Sequence, residues 1–269
     1  MFLIEFIIKN HIRWTFSSPS IFTNDDNVSI LLIDHKYSNL FKTRDKHEVI
    51  FRRINTYLIK NNIIKNNIID LGAWIGDNSI PWAKNIDSII YAIDPSHENC
   101  DFINKMCDAN QIKNVKTLQY AISNINEILS TNDDLFHCSF IYNDPGINGR
   151  NKVNAFSLDY LYEKKDIDNI GYIHLDVEGM KYKIIEGSNN LIDQCRPIIS
   201  FEQHLEIDDY DIILSHLKNK NYSIFLIDEI LPGCRRDCRN SITFPNEIFN
   251  ETLIENIHNY IGQNILISK

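Results

Sequence analysis

No apolar stretch in this sequence approaches the ~20 residues that a membrane-spanning helix requires. The most apolar start, Met1 to Lys9, is broken by Glu5 and lacks the basic head and small-residue cleavage site of a signal peptide. Basic charge is also short. Lys and Arg number 27 against 36 Asp and Glu, so the formal net charge is -9, which disfavours a chain built to grip a phosphate backbone. Cysteines number only six (Cys100, Cys107, Cys138, Cys195, Cys234, Cys238), scattered without framework spacing and read as free thiols. These absences lead to the expectation of a cytoplasmic protein that neither spans a membrane nor partners nucleic acid. Alanine is scarce while isoleucine and asparagine abound, the mark of AT-rich coding and not of chemistry. Two phosphate signatures are missing as well: Gly-x-Gly-x-x-Gly of dinucleotide sites and Gly-x-x-x-x-Gly-Lys-Ser/Thr of triphosphate sites.

What is present is an alternation. Apolar runs at 68–71, 89–93, 115–118, 172–177, 197–201, 222–227 and 241–244 read as strands. Helical spacing covers 46–61, a stretch ending near Ala83, 97–110, a stretch through Ile192, 208–220 and 246–261. Continuous apolar strands separated by helices imply a largely parallel sheet covered on both faces. At 269 residues this suits one α/β domain over 46–269, with residues 1–45 as an N-terminal cap of short strands and turns. In such sheets ligands sit beyond the carboxyl ends of the strands.

The chemistry-bearing residues fall at those ends. The first strand runs into Asp70-Leu-Gly72-Ala-Trp-Ile-Gly76, a turn where glycine lets backbone pass close to a ligand. The second strand ends at Asp94, where a carboxylate can accept ribose hydroxyls. Together they describe an adenosine pocket without polyphosphate, pointing to S-adenosylmethionine (SAM). The fourth strand carries His174, Asp176 and Glu178 at alternate positions, which project to one face. The fifth ends in Glu202-Gln-His204. Asp176, Glu178, Glu202 and His204 are therefore the candidate catalytic residues, with His204 closest to working pH as a base and His174 in support. Cys234 and Cys238 are too weak a pattern for zinc, and no metal is expected. Arg235, Arg236 and Arg239 with Lys218 and Lys220 read as a solvated or substrate-facing patch.

Taken in order, Ile69–Ser79, Tyr91–Pro95, Asn114-Val115, Ala121–Ser123, Ser157–Asp159, His174–Gly179, Glu186-Gly187, Arg196–Glu202 and Asn240–Pro245 resemble the FkbM-type methyltransferases. The resemblance implies a class I methyltransferase fold: a Rossmann-like, seven-stranded, mostly parallel sheet with helices on both faces. It implies SAM as cofactor and a hydroxyl as acceptor, often on a sugar, glycan or other small molecule. It also implies that Asp70, Gly72, Ala73, Gly76, Ser79, Asp94 and Ala121 line the SAM pocket. Two departures stand out: Trp74 where the family usually has Asn, and Lys181 where an acid usually follows the Asp-x-Glu-Gly segment. The rival readings are a non-catalytic SAM-binding module and an NAD-dependent sugar-modifying enzyme. The missing third glycine and a missing Tyr-x-x-x-Lys pair count against the latter. Asn143-Asp-Pro-Gly146 only imitates a nucleic-acid methyltransferase motif.

Overall fold

The computed structural model describes residues 20–24, 27–33, 35–44, 46–131, 141–142, 151–177, 179–204, 210–229 and 238–269. Glu178, the apolar stretches of the first 19 residues, the Asn143–Gly146 turn and the Cys234–Arg236 segment lie outside these. The backbone of His204 is described and its side chain is not.

The main sheet is built from β3 (Asn67–Leu71), β4 (Ile90–Ile93), β5 (Val115–Leu118), β10 (Ile170–Leu175), β11 (Ile198–His204), β12 (Tyr222–Ile227), β13 (Cys238–Pro245) and β14 (Leu266–Ser268). Their spatial order is β14-β12-β13-β11-β10-β3-β4-β5. The ladders β4–β5, β3–β4, β3–β10 and β10–β11 are parallel, and β13 is antiparallel to both neighbours. Counting the first seven strands of this sheet in chain order gives 3-2-1-4-5-7-6 with the last reversed, which is the class I methyltransferase arrangement. The expected seven strands gain an eighth, β14, because the chain's last residues pair with β12 at the sheet edge.

Alternation along the strands builds two faces. Ile69, Leu71, Ile173, Leu175, Ile199 and Phe201 join one core, beneath α5 (Leu158–Glu163), α6 (Lys181–Glu186), α7 (Asn189–Cys195) and α8 (Tyr210–Asn219). Ile68, Tyr172, Ile198 and Ile242 join the other, beneath α2 (Val49–Lys60), α3 (Ser79–Ala83) and α9 (Glu251–Ile261). Helix α2 buries Phe51, Ile54, Leu58 and Ile59, each contributing about 1.5–3 kcal/mol. Its start is held from afar: Ile50 N–H and Phe51 N–H donate to the Glu229 carboxylate at 2.9 and 3.0 Å, where a negative charge suits the helix dipole. Helix α4 (His97–Ala109) starts on Ser96, whose hydroxyl accepts from Asn99 N–H. Cys100 and Cys107 are buried on it, and burial pushes both thiols up to about 12, so they act as packing residues.

Two parts of the chain depart from the sequence expectations. A second sheet, β6 (Ala121–Ile122), β9 (Asn151–Phe156), β7 (Glu127–Thr131) and β8 (Ile141–Tyr142), occupies the interval where no strands are expected. Ahead of the main sheet, β1 (Ser20–Thr23) and β2 (Ser29–Leu32) form an antiparallel hairpin, followed by α1 (His35–Arg44), a helix where strands and turns are expected. Val28, Ile30, Leu32 and Phe41 bury themselves against Ile80 of α3 and Phe102, Ile103 and Met106 of α4.

Candidate active site

The glycine turn leaves β3 through three left-handed residues: Gly72 (φ +76°), Trp74 (φ +44°) and Gly76 (φ +73°). At residue 72 a Cβ would meet the carbonyl oxygen of Asp176 at 2.0 Å, so only glycine lets the turn lie against the end of β10. The contact is reinforced by Asp176 N–H donating to Leu71 O at 2.9 Å. Gly72 is therefore demanded by packing within the chain, whatever ligand lies beyond it. The left-handed Trp74 gives a physical reason for asparagine at this position: Asn tolerates this region and Trp carries strain of about 1–2 kcal/mol. Ala73 is buried in the core formed with α3 and α4.

Asp94 is 5% exposed and heavily engaged. Its Oδ2 accepts from Trp74 N–H at 2.9 Å, while its Oδ1 accepts from Ser96 N–H at 2.8 Å and Asn99 Nδ2 at 3.0 Å. A carboxylate offers about four acceptor positions, so one remains on Oδ2. Burial pushes this carboxyl up to about 6, against the hydrogen bonds from Ser96, Asn99 and Trp74, with the charge of Asp70 adding to the rise. Asn99 Oδ1 is also buried, without a hydrogen-bond partner, on the same amide that donates to Asp94. The residual Asp94 acceptor and this orphaned oxygen form a polar pair suited to a ribose.

Asp70, Ser79 and His174 come together as one buried chain. Ser79 Oγ donates to Asp70 Oδ2 at 2.5 Å, and Asp70 Oδ1 lies 2.9 Å from His174 Nδ1. His174 is 1% exposed, its ring 5.1 Å from that of Phe51 and 5.6 Å, edge-on, from Trp82. Burial disfavours the imidazolium, but the hydrogen bond and charge of Asp70, with the charges of Asp176 and Glu48, raise its pKa overall. Its Nε2 has no hydrogen-bond partner. Ala121 lies apart, buried in β6 within the core of the other face and paired with Ala155.

At the rim, Leu175 of β10 pairs with Phe201 of β11, so Asp176 and Glu202 follow side by side, both partly exposed. Two of the four candidate catalytic carboxylates and histidines are thus neighbours. Glu178 and the His204 side chain lie outside the described residues. Lys181, the second departure from the family pattern, is buried at the start of α6. Among the described residues no group of three or more His, Cys, Asp or Glu can hold a metal ion, and no helix is long and apolar enough to cross a membrane.

The geometry adds residues that spacing does not reveal. Glu48, at the entry to α2, is 2% exposed with φ +57°. Its Oε1 accepts from Asn240 Nδ2 of β13 at 2.8 Å. Arg52 donates through Nη2 to Asp77 Oδ2 at 2.6 Å and through Nη1 to Asp77 O, clamping α2 to the residue after the glycine turn. Asp77 and Asn240 lie inside stretches that carry the family resemblance, whereas Glu48 and Arg52 do not. Nearby, a hollow of about 20 Å³ between the hairpin, α2 and α3 is lined by Arg52, Asp77, Asn78 and Trp82 and has room for a single water.

The strand order, with its glycine turn after the first strand of the sheet, is that of the class I methyltransferase fold. The FkbM methyltransferase domain matches residues 66–224, and the chain belongs to that family. Its cofactor is S-adenosylmethionine. Among solved structures, an FkbM methyltransferase from Methylobacillus flagellatus KT is similar at 16% identity and a TM-score of 0.49, over 65% of this chain and 43% of that one. This chain thus spans less than half of that protein's length. A precorrin-6y C5,15-methyltransferase from Geobacter metallireducens GS-15 is similar at 12% identity and a TM-score of 0.44, covering 73% and 88% of the two chains. A putative methyltransferase from Streptococcus mutans in complex with SAH is similar at 9% identity and a TM-score of 0.43, covering 69% and 93%. A comparison with curated proteins gives no match.

Proposed function

We propose that this protein transfers the methyl group of SAM to a hydroxyl of a sugar, within a glycan or a nucleotide-sugar. The observation that carries this reading is the adjacency of Asp176 and Glu202 at the ends of β10 and β11, with the Asp176 backbone against the glycine turn. Bound SAM supplies an electrophilic methyl on a positively charged sulfur. The turn from Gly72 to Gly76, with Ala73 and Ser79, would hold its amino-acid end, and Asp94 with Asn99 its ribose. Ala121 would sit nearer the base. Carboxylates at the rim suit both tasks there, since they favour a cation and can receive the acceptor's proton. In-line transfer to an uncharged hydroxyl requires such positioning more than it requires an unusual functional group. Within this reading Asp176 orients the acceptor, with Glu202 beside it as the second carboxylate of the rim.

The test is tritiated SAM offered with a panel of methyl glycosides and nucleotide-sugars, with the labelled product identified by mass spectrometry. A base-stable methyl ether on a sugar is the expected product. Label found only on nitrogen, or as a base-labile ester, refutes the reading. With the sugar that is methylated, Asp176→Asn should lower turnover about a hundredfold while SAM affinity stays within about threefold.

A further inference from the structure

We propose that Glu48 faces the transferred methyl and, with Asn240, forms the acceptor side of the transfer chamber. The inference rests on the SAM reading above and extends it to residues outside the strand-end motifs. Glu48 holds a left-handed backbone conformation that costs a non-glycine residue about 1 kcal/mol or more, and such strain persists only where surrounding structure fixes it. Its side chain makes no capping bond to its own helix, a duty that the Glu229 carboxylate performs instead. The carboxylate is directed at the sheet rim: Oε1 accepts from Asn240 Nδ2, and Oε2 lies 3.8 Å from Arg52 Nη2 and 3.7 Å from His47 Nδ1.

The ladder register fixes what lies beneath. Asn240 pairs with Glu202, and Glu202 stands beside Asp176, so the Glu48–Asn240 bond sits over the row Asp176, Glu202, Asn240. Two atoms at this place point to a ligand independently of the acidic residues. Asn240 is fully buried with Oδ1 unpartnered, although its other amide atom is bonded to Glu48. His174, one row deeper and within electrostatic reach of Glu48 and Asp176, is buried with Nε2 unpartnered. Buried polar atoms left without partners are uncommon and call for an occupant. A carboxylate beside a free amide oxygen matches two neighbouring hydroxyls, the pattern of a polyol. Glu48 receives the proton of one hydroxyl as its oxygen bonds to the methyl carbon and the methyl–sulfur bond breaks, the electron pair remaining on sulfur. Asn240 Oδ1 accepts from the adjacent hydroxyl.

The test needs no acceptor, because SAM and S-adenosylhomocysteine (SAH) differ by the methyl and its positive charge. A carboxylate facing the methyl favours SAM over SAH. In calorimetry, Glu48→Gln should weaken SAM binding about tenfold and leave SAH binding within about twofold, while the surface variant Asp101→Asn changes neither. Equal weakening of both ligands makes Glu48 structural, and no change in either puts it away from the methyl; each overturns the proposal. Failure of the wild-type chain to bind SAM or SAH overturns the cofactor reading itself, an outcome distinct from the other two. Should Glu48→Gln not fold, a crystal structure of the wild-type chain with SAH decides. A Glu48 carboxylate within about 6 Å of the sulfur supports the inference, and one beyond about 10 Å overturns it.

Discussion

The same three central strands carry two different faces. On one side Ile69, Leu71, Ile173, Leu175, Ile199 and Phe201 are all buried and all apolar. On the other, Asp70, His174 and Ser200 alternate with them, equally buried. Beneath α2 the polar tract continues: Tyr172 Oη donates to Asn55 Oδ1 at 2.6 Å and lies 2.6 Å from Ser200 Oγ. The apolar face shows what suffices to build the sheet. Against that standard the buried Asp70–His174 pair is more than a core requires, because a buried ion pair is commonly matched or bettered by apolar residues of similar volume. The members of the polar face instead share one direction: they lead from the sheet's interior to the rim where Glu48, Asp176, Glu202 and Asn240 gather. The difference between the faces sets the buried polar residues on the same side of the sheet as that rim.

The sharpest break in this comparison comes where both faces end, at the β3 turn. Gly72→Val puts a Cβ 2.0 Å from the Asp176 carbonyl oxygen and forces a branched residue to φ +76°. Neither neighbour can move without separating β3 from β10. The expected loss exceeds about 4 kcal/mol, enough to abolish cooperative unfolding, measured by circular dichroism and urea titration. The variant is thus a test of the fold and cannot isolate cofactor binding. A folded Gly72→Val protein would mean that the backbone approach is looser than described.

Neighbouring residues on opposite faces then give a matched pair. Leu175→Ala should cost about 3 kcal/mol at every pH, as a cavity in an apolar core does. His174→Leu should cost a similar amount, about 3 kcal/mol, by leaving Asp70 buried with Ser79 alone, but with a pH dependence. The folded-state pKa of His174 is raised. Its contribution is therefore fully present below the unfolded value of about 6.5 and is lost as pH rises through the higher folded value. Urea unfolding at pH 6 and pH 9 should show the His174→Leu deficit shrinking at the higher pH while the Leu175→Ala deficit stays level. Equal pH profiles would remove the distinction between the faces.

Legibility in the sequence follows the same division. The expected strands at 68–71, 89–93, 115–118 and 222–227 lie within one residue of β3, β4, β5 and β12, because continuous apolar runs flanked by turn residues leave few alternatives. Short elements escape this logic. β6 and β8 have two residues each, β14 has three, and β7 carries the exposed Ile128, so none has an apolar run to read. The glycine turn and Asp94 were visible because their spacing is local. Glu48 and Asn240 were not visible as a pair: 192 residues separate them, and only the antiparallel β13 brings Asn240 to the rim. Similarly, no spacing rule announces that Gly72 is needed for a neighbouring strand's carbonyl.

The smallest expected effect lies at the edge of the polar face, on Asp94, and concerns ligand affinity. The sequence suggests a carboxylate free to take both ribose hydroxyls. With Trp74 N–H, Ser96 N–H and Asn99 Nδ2 already donating, one acceptor position remains, so a single charge-assisted hydrogen bond is expected, supported by Asn99 Oδ1. Its loss is worth about 1.5 kcal/mol, or roughly a tenfold change in SAM affinity. The raised pKa adds a signature. Only the ionised carboxylate makes the stronger bond, and the free protein's Asp94 titrates at about 6. Wild-type SAM affinity should therefore be level above pH 7 and fall as pH drops below about 6, until the gain from the charge, about tenfold in all, is gone. Asp94→Asn, with an amide in place of the titrating group, should bind about tenfold more weakly at pH 7.5 and lose the step near pH 6. Calorimetry at pH 5.5, 6.5 and 7.5 on both proteins measures this. A wild-type affinity unchanged across that interval would mean that Asp94 braces the glycine turn through Trp74 and does not touch the cofactor.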